Sequence, residues 1–163
     1  MLVRKAEERD IAKVSEIFAS ARAYMRKNGN NIQWTGEYPG ESDVIKDIDL
    51  GRGYVVEKDG EVAGYFCYFI GHDPTYDVVY GGEWLNDLPY GVVHRLATLS
   101  QAKGVGTFAV NWCFEQCGNL KLDTHRINTP MINMVTKAGF TKCGVIHVND
   151  GLDPERIAFQ KVK

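Results

Sequence analysis

Between a strand-like stretch and a helical one lies Gln101-Ala102-Lys103-Gly104-Val105-Gly106-Thr107. Glycine lets the backbone turn tightly there. The first N–H groups of the following helix lack carbonyl partners, and the helix dipole adds positive potential at the same end. Such a turn is an anion site, and a phosphate or pyrophosphate is its natural guest. Lys103 could add charge at the rim. The alternative is a tight turn that binds nothing, because a strand–glycine–helix junction alone is weak evidence.

His94, just upstream, carries the side chain that exchanges protons near neutral pH. Strand alternation puts His94 with Leu96 on one face and Val93 with Arg95 on the other, turning His94 towards the core. A strand histidine without a chemical task fits the same pattern. Glu83 and Asp87 in the preceding loop are alternative bases, though solubility also explains them. Asp123 and His125, two apart, share a strand face and could form a carboxylate–imidazole pair, catalytic or merely structural. Cys113 and Cys117 would share a helix face, but two cysteines without nearby partners make a poor zinc site, so no metal is expected.

The elements that must position these groups follow from periodicity and turn signals. Residues 1–5 read as a strand. Asp10 is a good N-cap for a helix running to about Lys27, which Asn28-Gly29-Asn30-Asn31 stops. Residues 32–40 form a loop, and a second helix starts at Ser42. Strands Tyr54 to Lys58 and Val62 to Ile70 flank the hairpin signal Asp59-Gly60. After a polar loop over 71–89, Tyr90 to Leu99 is a strand, Gly104 to Cys117 a helix and Leu120 to His125 a strand. Thr129 to Lys137 is a short helix with Pro130 in its first turn. Strands Phe140 to Val148 and Arg156 to Lys161 finish the chain, joined by a turn at Asp150-Gly151.

The spacing Gln-x-x-Gly-x-Gly resembles the acetyl-CoA loop of the GNAT N-acetyltransferase superfamily. A second stretch supports this: the apolar strand Leu120 to Asp123, then Asn128, then Lys137 just before Gly139-Phe140. The order of elements along all 163 residues is similar too. The resemblance implies an α/β (α+β) GNAT fold over 1–163, a single acetyltransferase domain. Its mixed, mostly antiparallel sheet would have about seven strands and about four helices, and would splay between the fourth and fifth strands. It implies acetyl-CoA as co-substrate and direct transfer of its acetyl group to a primary amine, from a small molecule or a peptide.

The resemblance also assigns roles. The pantetheine arm would add like a strand along Leu96, Ala97 and Thr98. A backbone N–H near Ala97 would stabilise the developing oxyanion. Gln101 to Thr107 (Ala102, Lys103, Gly104, Val105 and Gly106 between them) would hold the pyrophosphate. Asn128 would sit beside the pantetheine arm, with Asn133 and Lys137 facing the nucleotide end. His94 is the candidate general base. Gln33, Trp34 and Tyr38, between the first two helices, would line the acceptor pocket, and Glu37, Glu41 and Asp43 could attract a cation. Many members carry a tyrosine acid seven residues after the asparagine. Here that position is Val135, which cannot donate a proton.

Composition narrows the alternatives. The balance of 19 basic and 21 acidic residues gives nucleic acid nothing to bind. No apolar run is long enough for a bilayer. The four cysteines make no disulfide framework and no signal peptide opens the chain, so a cytoplasmic location is expected. A homodimer is one assembly open to it. Gly104-Val105-Gly106 with Ala109 and Asp123 imitates the fingerprint of an NAD(P)-binding oxidoreductase, but too little chain follows it. A non-catalytic acyl-CoA-binding module is the other alternative, supported by Val135.

Overall fold

The computed structural model describes residues 1–149 and 152–163; the turn expected at Asp150-Gly151 lies outside the described residues. The strands are β1 (Leu2–Lys5), β2 (Gly53–Lys58), β3 (Glu61–Ile70), β4 (Gly91–Thr98), β5 (Asn119–Thr124), β6 (Thr141–His147) and β7 (Glu155–Val162). They form one sheet in the order β1-β2-β3-β4-β5-β7-β6. The helices are α1 (Ile11–Lys27), α2 (Glu41–Asp49), α3 (Val105–Cys117) and α4 (Thr129–Lys137). This is the mixed fold the resemblance implied. No described helix is long and apolar enough to cross a membrane.

Apolar periodicity decides which helix covers which face. Val14, Ile17 and Phe18 of α1 and Val44 of α2 pack with Val55, Tyr65 and Ala97. On the other face, Val105, Ala109, Val110 and Cys113 of α3 and Val135 of α4 pack with Phe66, Val93, Leu120 and Leu122. The Asp59-Gly60 hairpin forms with both residues at positive φ, 53° and 83°, as a two-residue turn between right-twisted strands requires. Asp10 does not cap α1. A 3-10 turn over Glu8–Asp10 runs into the helix, and the Asp10 carboxylate instead accepts from Arg4 Nη1 at 2.7 Å and Arg4 Nη2 at 2.9 Å.

Two features of β4 shape everything that follows. Every strand pairing is antiparallel except β4 with β5, which are parallel and register only at Gly91↔Leu120 and Val92↔Lys121. Beyond Val92 the two strands part, leaving one edge of β4 without a neighbour. That lone parallel pair also removes the oxidoreductase reading, because a dinucleotide-binding sheet is built of parallel strands.

The second feature is a β-bulge. Tyr65 registers with Ala97 and Cys67 with His94, so Arg95 and Leu96 both oppose Phe66. Arg95 takes φ +53°, a left-handed conformation uncommon for a non-glycine residue. The extra residue breaks the expected alternation. Leu96 packs with Val93 on the α3 face, whereas His94 meets the rings of Phe69 and Tyr76 on the opposite one. Arg95 follows His94 to that face and pairs with Asp47 of α2.

Candidate active site

At the open end of β4, Gly104 takes φ 83° as the residue before α3. The first bond of α3 runs from Phe108 N–H to Gly104 O at 3.0 Å. The N–H groups of Gly104, Val105, Gly106 and Thr107 therefore have no acceptor among the described residues. Those of Ala102 and Lys103 are already committed, to Leu99 O at 2.9 Å and Gln101 O at 3.2 Å. Lys58 Nζ donates to Lys103 O at 2.8 Å, which brings a second cation to the rim. Thr107, Asn133 and Lys137 lie exposed on outer faces of α3 and α4. Asn133 and Lys137, one helical turn apart, share a face.

The backbone of β4 divides its donors between two sides. Leu99 N–H donates to Ala63 O at 2.9 Å. Alternation then turns the N–H of Ala97 towards β3 as well, and those of Leu96 and Thr98 towards the open edge. The donor expected near Ala97 is thus Leu96 N–H.

A cavity of about 450 Å³ adjoins the parting, its walls including Gln33, Trp34, Tyr38, His94, Arg95, Leu96 and Asn128. The strands contribute Asp123 and Thr124 from β5 and Arg156 from β7, and the loop after β3 contributes Asp73 and Thr75. Helix α1 holds the loop of residues 28–40 by its backbone. Arg26 donates to the carbonyls of Asn30, Gln33 and Trp34 at 2.7 to 3.0 Å, and Arg22 to Pro39 O at 2.9 Å. Trp34 lines the cavity and also packs edge-on against Phe18, with centroids 5.9 Å apart. Gln33 is buried, and its Oε1 accepts from Asn30 Nδ2 at 3.0 Å and Asn128 Nδ2 at 3.1 Å. The Asn128 Oδ1 accepts from Met131 N–H at 3.3 Å, capping α4.

His94 Nε2 stands 2.6 Å from Asp73 Oδ2. The other Asp73 oxygen accepts from the Thr75 hydroxyl at 2.7 Å and its N–H at 3.0 Å. Burial pushes the Asp73 carboxyl upward, but the bonds from His94 and Thr75 outweigh it and hold it at about 2. An ionised carboxylate only accepts, so Nε2 carries the hydrogen of this pair. Beside it, Arg95 Nη2 and Nε reach the Asp47 carboxylate at 2.5 and 3.0 Å, and Tyr65 OH donates to Asp47 at 2.6 Å. Burial works against the Arg95 charge, yet the Asp47 hydrogen bond leads a set of contacts that raise its pKa above the usual arginine range.

Other sequence candidates fall elsewhere. Asp123 and His125 do not pair with each other. Asp123 accepts from Tyr76 OH at 2.7 Å, and buried His125 places Nε2 2.8 Å from Asp153. Glu83 and Asp87 are exposed outside the cavity, as are Glu37 and Glu41. Asp43 accepts from Gly40 N–H at the start of α2. Among the described residues, no group of three or more His, Cys, Asp or Glu could hold a metal ion.

Sequence reasoning passed over Asp73, Arg95 and Thr124. Asp73-Pro74-Thr75 is an aspartate-headed turn signal that marks the turn but not its histidine partner. Nothing local marks the bulge at Arg95, whose partner Asp47 is 48 residues away.

The sequence profile of the Acetyltransferase (GNAT) family matches residues 11–140. Among solved structures, a GNAT-family acetyltransferase from Streptococcus agalactiae aligns over 99% of this chain and 95% of its own, at 31% identity and a TM-score of 0.91. A ribosomal-protein-alanine N-acetyltransferase from Brucella melitensis aligns over 100% of both chains, at 16% identity and a TM-score of 0.65. An Arabidopsis thaliana protein in complex with the bisubstrate analogue CoA-Ac-MVNAL aligns over 99% of this chain and 98% of its own, at 13% identity and a TM-score of 0.63. The last two bear on the fold alone. No curated protein matches the chain.

Proposed function

The chain belongs to the GNAT acetyltransferase family, and from that premise we propose that it transfers acetyl from acetyl-CoA directly to a primary amine, as one catalytic domain. One observation carries the reading: β4 and β5 part beyond Val92, so a bare strand edge runs from a cavity walled by Leu96 and the His94–Asp73 pair towards the unbonded N–H groups that open α3. Membership among acetyltransferases sets aside a non-catalytic module.

Acetyl-CoA supplies an acyl group activated as a thioester. The chain's own groups fit its parts. N–H groups from Gly104 to Thr107 suit the pyrophosphate, with Gln101, Ala102 and Lys103 shaping the turn and Lys58 beside them. The edge of Leu96, Ala97 and Thr98 suits the amide-bearing arm by strand addition. Asn133 and Lys137 face outward where the nucleotide would extend. Asn128 ties α4 to Gln33 and so braces one wall. Leu96 N–H faces the parting, where it would stabilise negative charge on the acetyl oxygen.

His94 Nδ1 takes the proton that an ammonium must lose before it can attack. Asp73 fixes the ring and stabilises its charged form. The acceptor's chemistry follows from the walls. Trp34 and Tyr38 offer aromatic faces, and Asp73 and Asp123 offer carboxylates, which suits an amine with an apolar body and a cationic head. A peptide N-terminus and a small-molecule amine both meet that description. Four free cysteines, three of them buried, suit a reducing compartment such as the cytoplasm.

The test is a thiol-release assay with acetyl-CoA and a panel of amines, products identified by mass spectrometry. At least one amine should be acetylated, with CoA release to match. CoA binding without acetylation of any amine would overturn the reading.

A further inference from the structure

Four residues that line the cavity bear hydroxyls: Thr35, Tyr38, Thr75 and Thr124. Thr35 and Tyr38 are exposed, and Thr75 is spent on Asp73. Thr124 is 1% exposed, and its Oγ1 has no hydrogen-bond partner among the described residues. A buried hydroxyl without a partner costs stability, because it gives up its bonds to water and gains none in return. Such a group at a site wall points to a ligand that completes it.

Its place in the sheet says which part of the ligand. Counting three residues on from the last pair, Val92↔Lys121, brings Arg95 and Thr124 level across the parting. This is the height of the bulge, of Leu96 N–H and of His94. The far end, where Gly104 opens α3, lies beyond it. Alternation along β5 puts Thr124 on the face of Leu120 and Leu122, towards α3, and Leu96 shares that face. His94 looks out on the opposite face. An amine arriving on the His94 side would leave the departing group on the Thr124 side.

We propose that the Thr124 hydroxyl donates a hydrogen bond to the sulfur of CoA as it leaves. The inference rests on the reading that the acyl end of acetyl-CoA enters the parting. In the transfer, a bond forms from the amine nitrogen to the acetyl carbon and the carbon–sulfur bond breaks. The electron pair of that bond goes to sulfur. The amine's proton passes to His94 Nδ1 and then to water, and the thiolate later takes a proton from water. Thr124 keeps its own proton, since an alcohol is too weak an acid to give it up, and its hydrogen bond to the anion is the charge-assisted kind. Val135 offers no such donor: it is fully buried among the apolar residues under α3 and α4.

The experiment compares wild type with Thr124→Val, Thr124→Ala and Thr124→Ser. Three quantities are read: kcat, melting temperature, and the titration of the thiol of bound CoA by thiolate ultraviolet absorbance. Thr124→Val should lower kcat roughly ten- to a hundredfold, the size of a lost hydrogen bond to a charged group. It should raise the pKa of the bound thiol by about one unit, while melting temperature holds or rises because an orphaned hydroxyl has gone. Thr124→Ala should repeat the first two effects and melt lower, and Thr124→Ser should restore both. A wild type that bound no CoA would overturn the reading of the site and this inference with it. A wild type that binds and turns over, beside a Thr124→Val variant with unchanged kcat and thiol titration, would overturn the role of Thr124 alone.

Discussion

His94 Nε2 and Asp73 Oδ2 stand 2.6 Å apart although 21 residues separate them in the chain. The contact joins a strand to the turn that follows the neighbouring strand, at the wall of the cavity. His94→Ala should lower turnover by about a hundredfold or more, the usual size of a general-base effect, and flatten the acidic limb of the pH–rate profile. CoA affinity should barely move, because the groups of β4 proposed to hold the cofactor are backbone. Asp73→Asn should lower kcat less, by roughly tenfold, and Asp73→Glu should recover part of it. Calorimetry with CoA and steady-state kinetics on the same preparations check this; full activity in both variants would remove the pair from the mechanism.

The same carboxylate carries a pH dependence of stability. Its pKa falls from 3.8 to about 2 on folding. A carboxyl depressed in the folded state stabilises the fold fully above its unfolded pKa and loses that contribution as pH falls through the folded value. Melting temperature of the wild type should therefore drop more steeply than that of Asp73→Asn between pH 3.8 and 2. Parallel curves over that window would contradict the assignment.

Glycine at the α3 mouth serves two different ends. Gly104, at φ 83°, would strain any side chain, so Gly104→Ala should cost about 1–2 kcal/mol of stability. A Cβ on Gly106 would stand 2.9 Å from Met134 Sδ, the movable end of a flexible side chain. Gly106→Val should therefore fold with a modest loss but weaken CoA binding at least tenfold, by crowding the approach to the N–H groups. Chemical denaturation and calorimetry separate the two; unchanged CoA affinity in Gly106→Val would count against the pyrophosphate site.

Val135 is a packing residue. It is fully buried, so Val135→Ala should cost about 2 kcal/mol while leaving kcat of the folded protein unchanged. Val135→Tyr should destabilise as well, by overpacking. Loss of turnover in a folded Val135→Ala variant that binds CoA normally would show a chemical role for that position.

Asp47 holds the bulge. Its carboxylate takes two bonds from Arg95 and one from Tyr65, and its side chain is 3% exposed. Asp47→Ala strands a largely buried guanidinium and should cost roughly 3 kcal/mol. Tyr65→Phe should cost nearer 1 kcal/mol. Denaturant midpoints measure both, and equal effects would mean that the ion pair matters no more than the phenol.

Much of this fold was legible because its punctuation is local. Asp59-Gly60, Pro130 and Gly104 before α3 each mark a turn or a helix start by their own backbone preferences. The turn from Gln101 to Gly104 was legible for the same reason. Gln33, Trp34, Tyr38, His94, Leu96 and Asn128 were named and do line the cavity, but the contacts that hold its walls were not legible, because they are made over long sequence distances. Alternation predicted His94 and Leu96 on one face, and failed at a bulge stabilised by a residue on another element. Alternation also put Asp123 and His125 together, but each found a stronger partner, Tyr76 and Asp153, from a loop. Asp10 read as a cap until Arg4, from β1, took its carboxylate.

Arg22 and Arg26 grip the loop of residues 28–40 by carbonyl oxygens, a feature every amino acid presents alike. The shape of that wall is thus inherited from α1, whereas most of its lettering is free to drift. Trp34, Thr35 and Tyr38 could be rewritten without loosening a single one of those four anchors. Selection for a differently shaped cavity would meet little structural resistance here, and two enzymes with this scaffold could diverge at this wall while sharing one backbone trace. Gln33 is the exception within the loop, since its side chain is knotted to Asn30 and Asn128; a change there would be felt at the start of α4 as well.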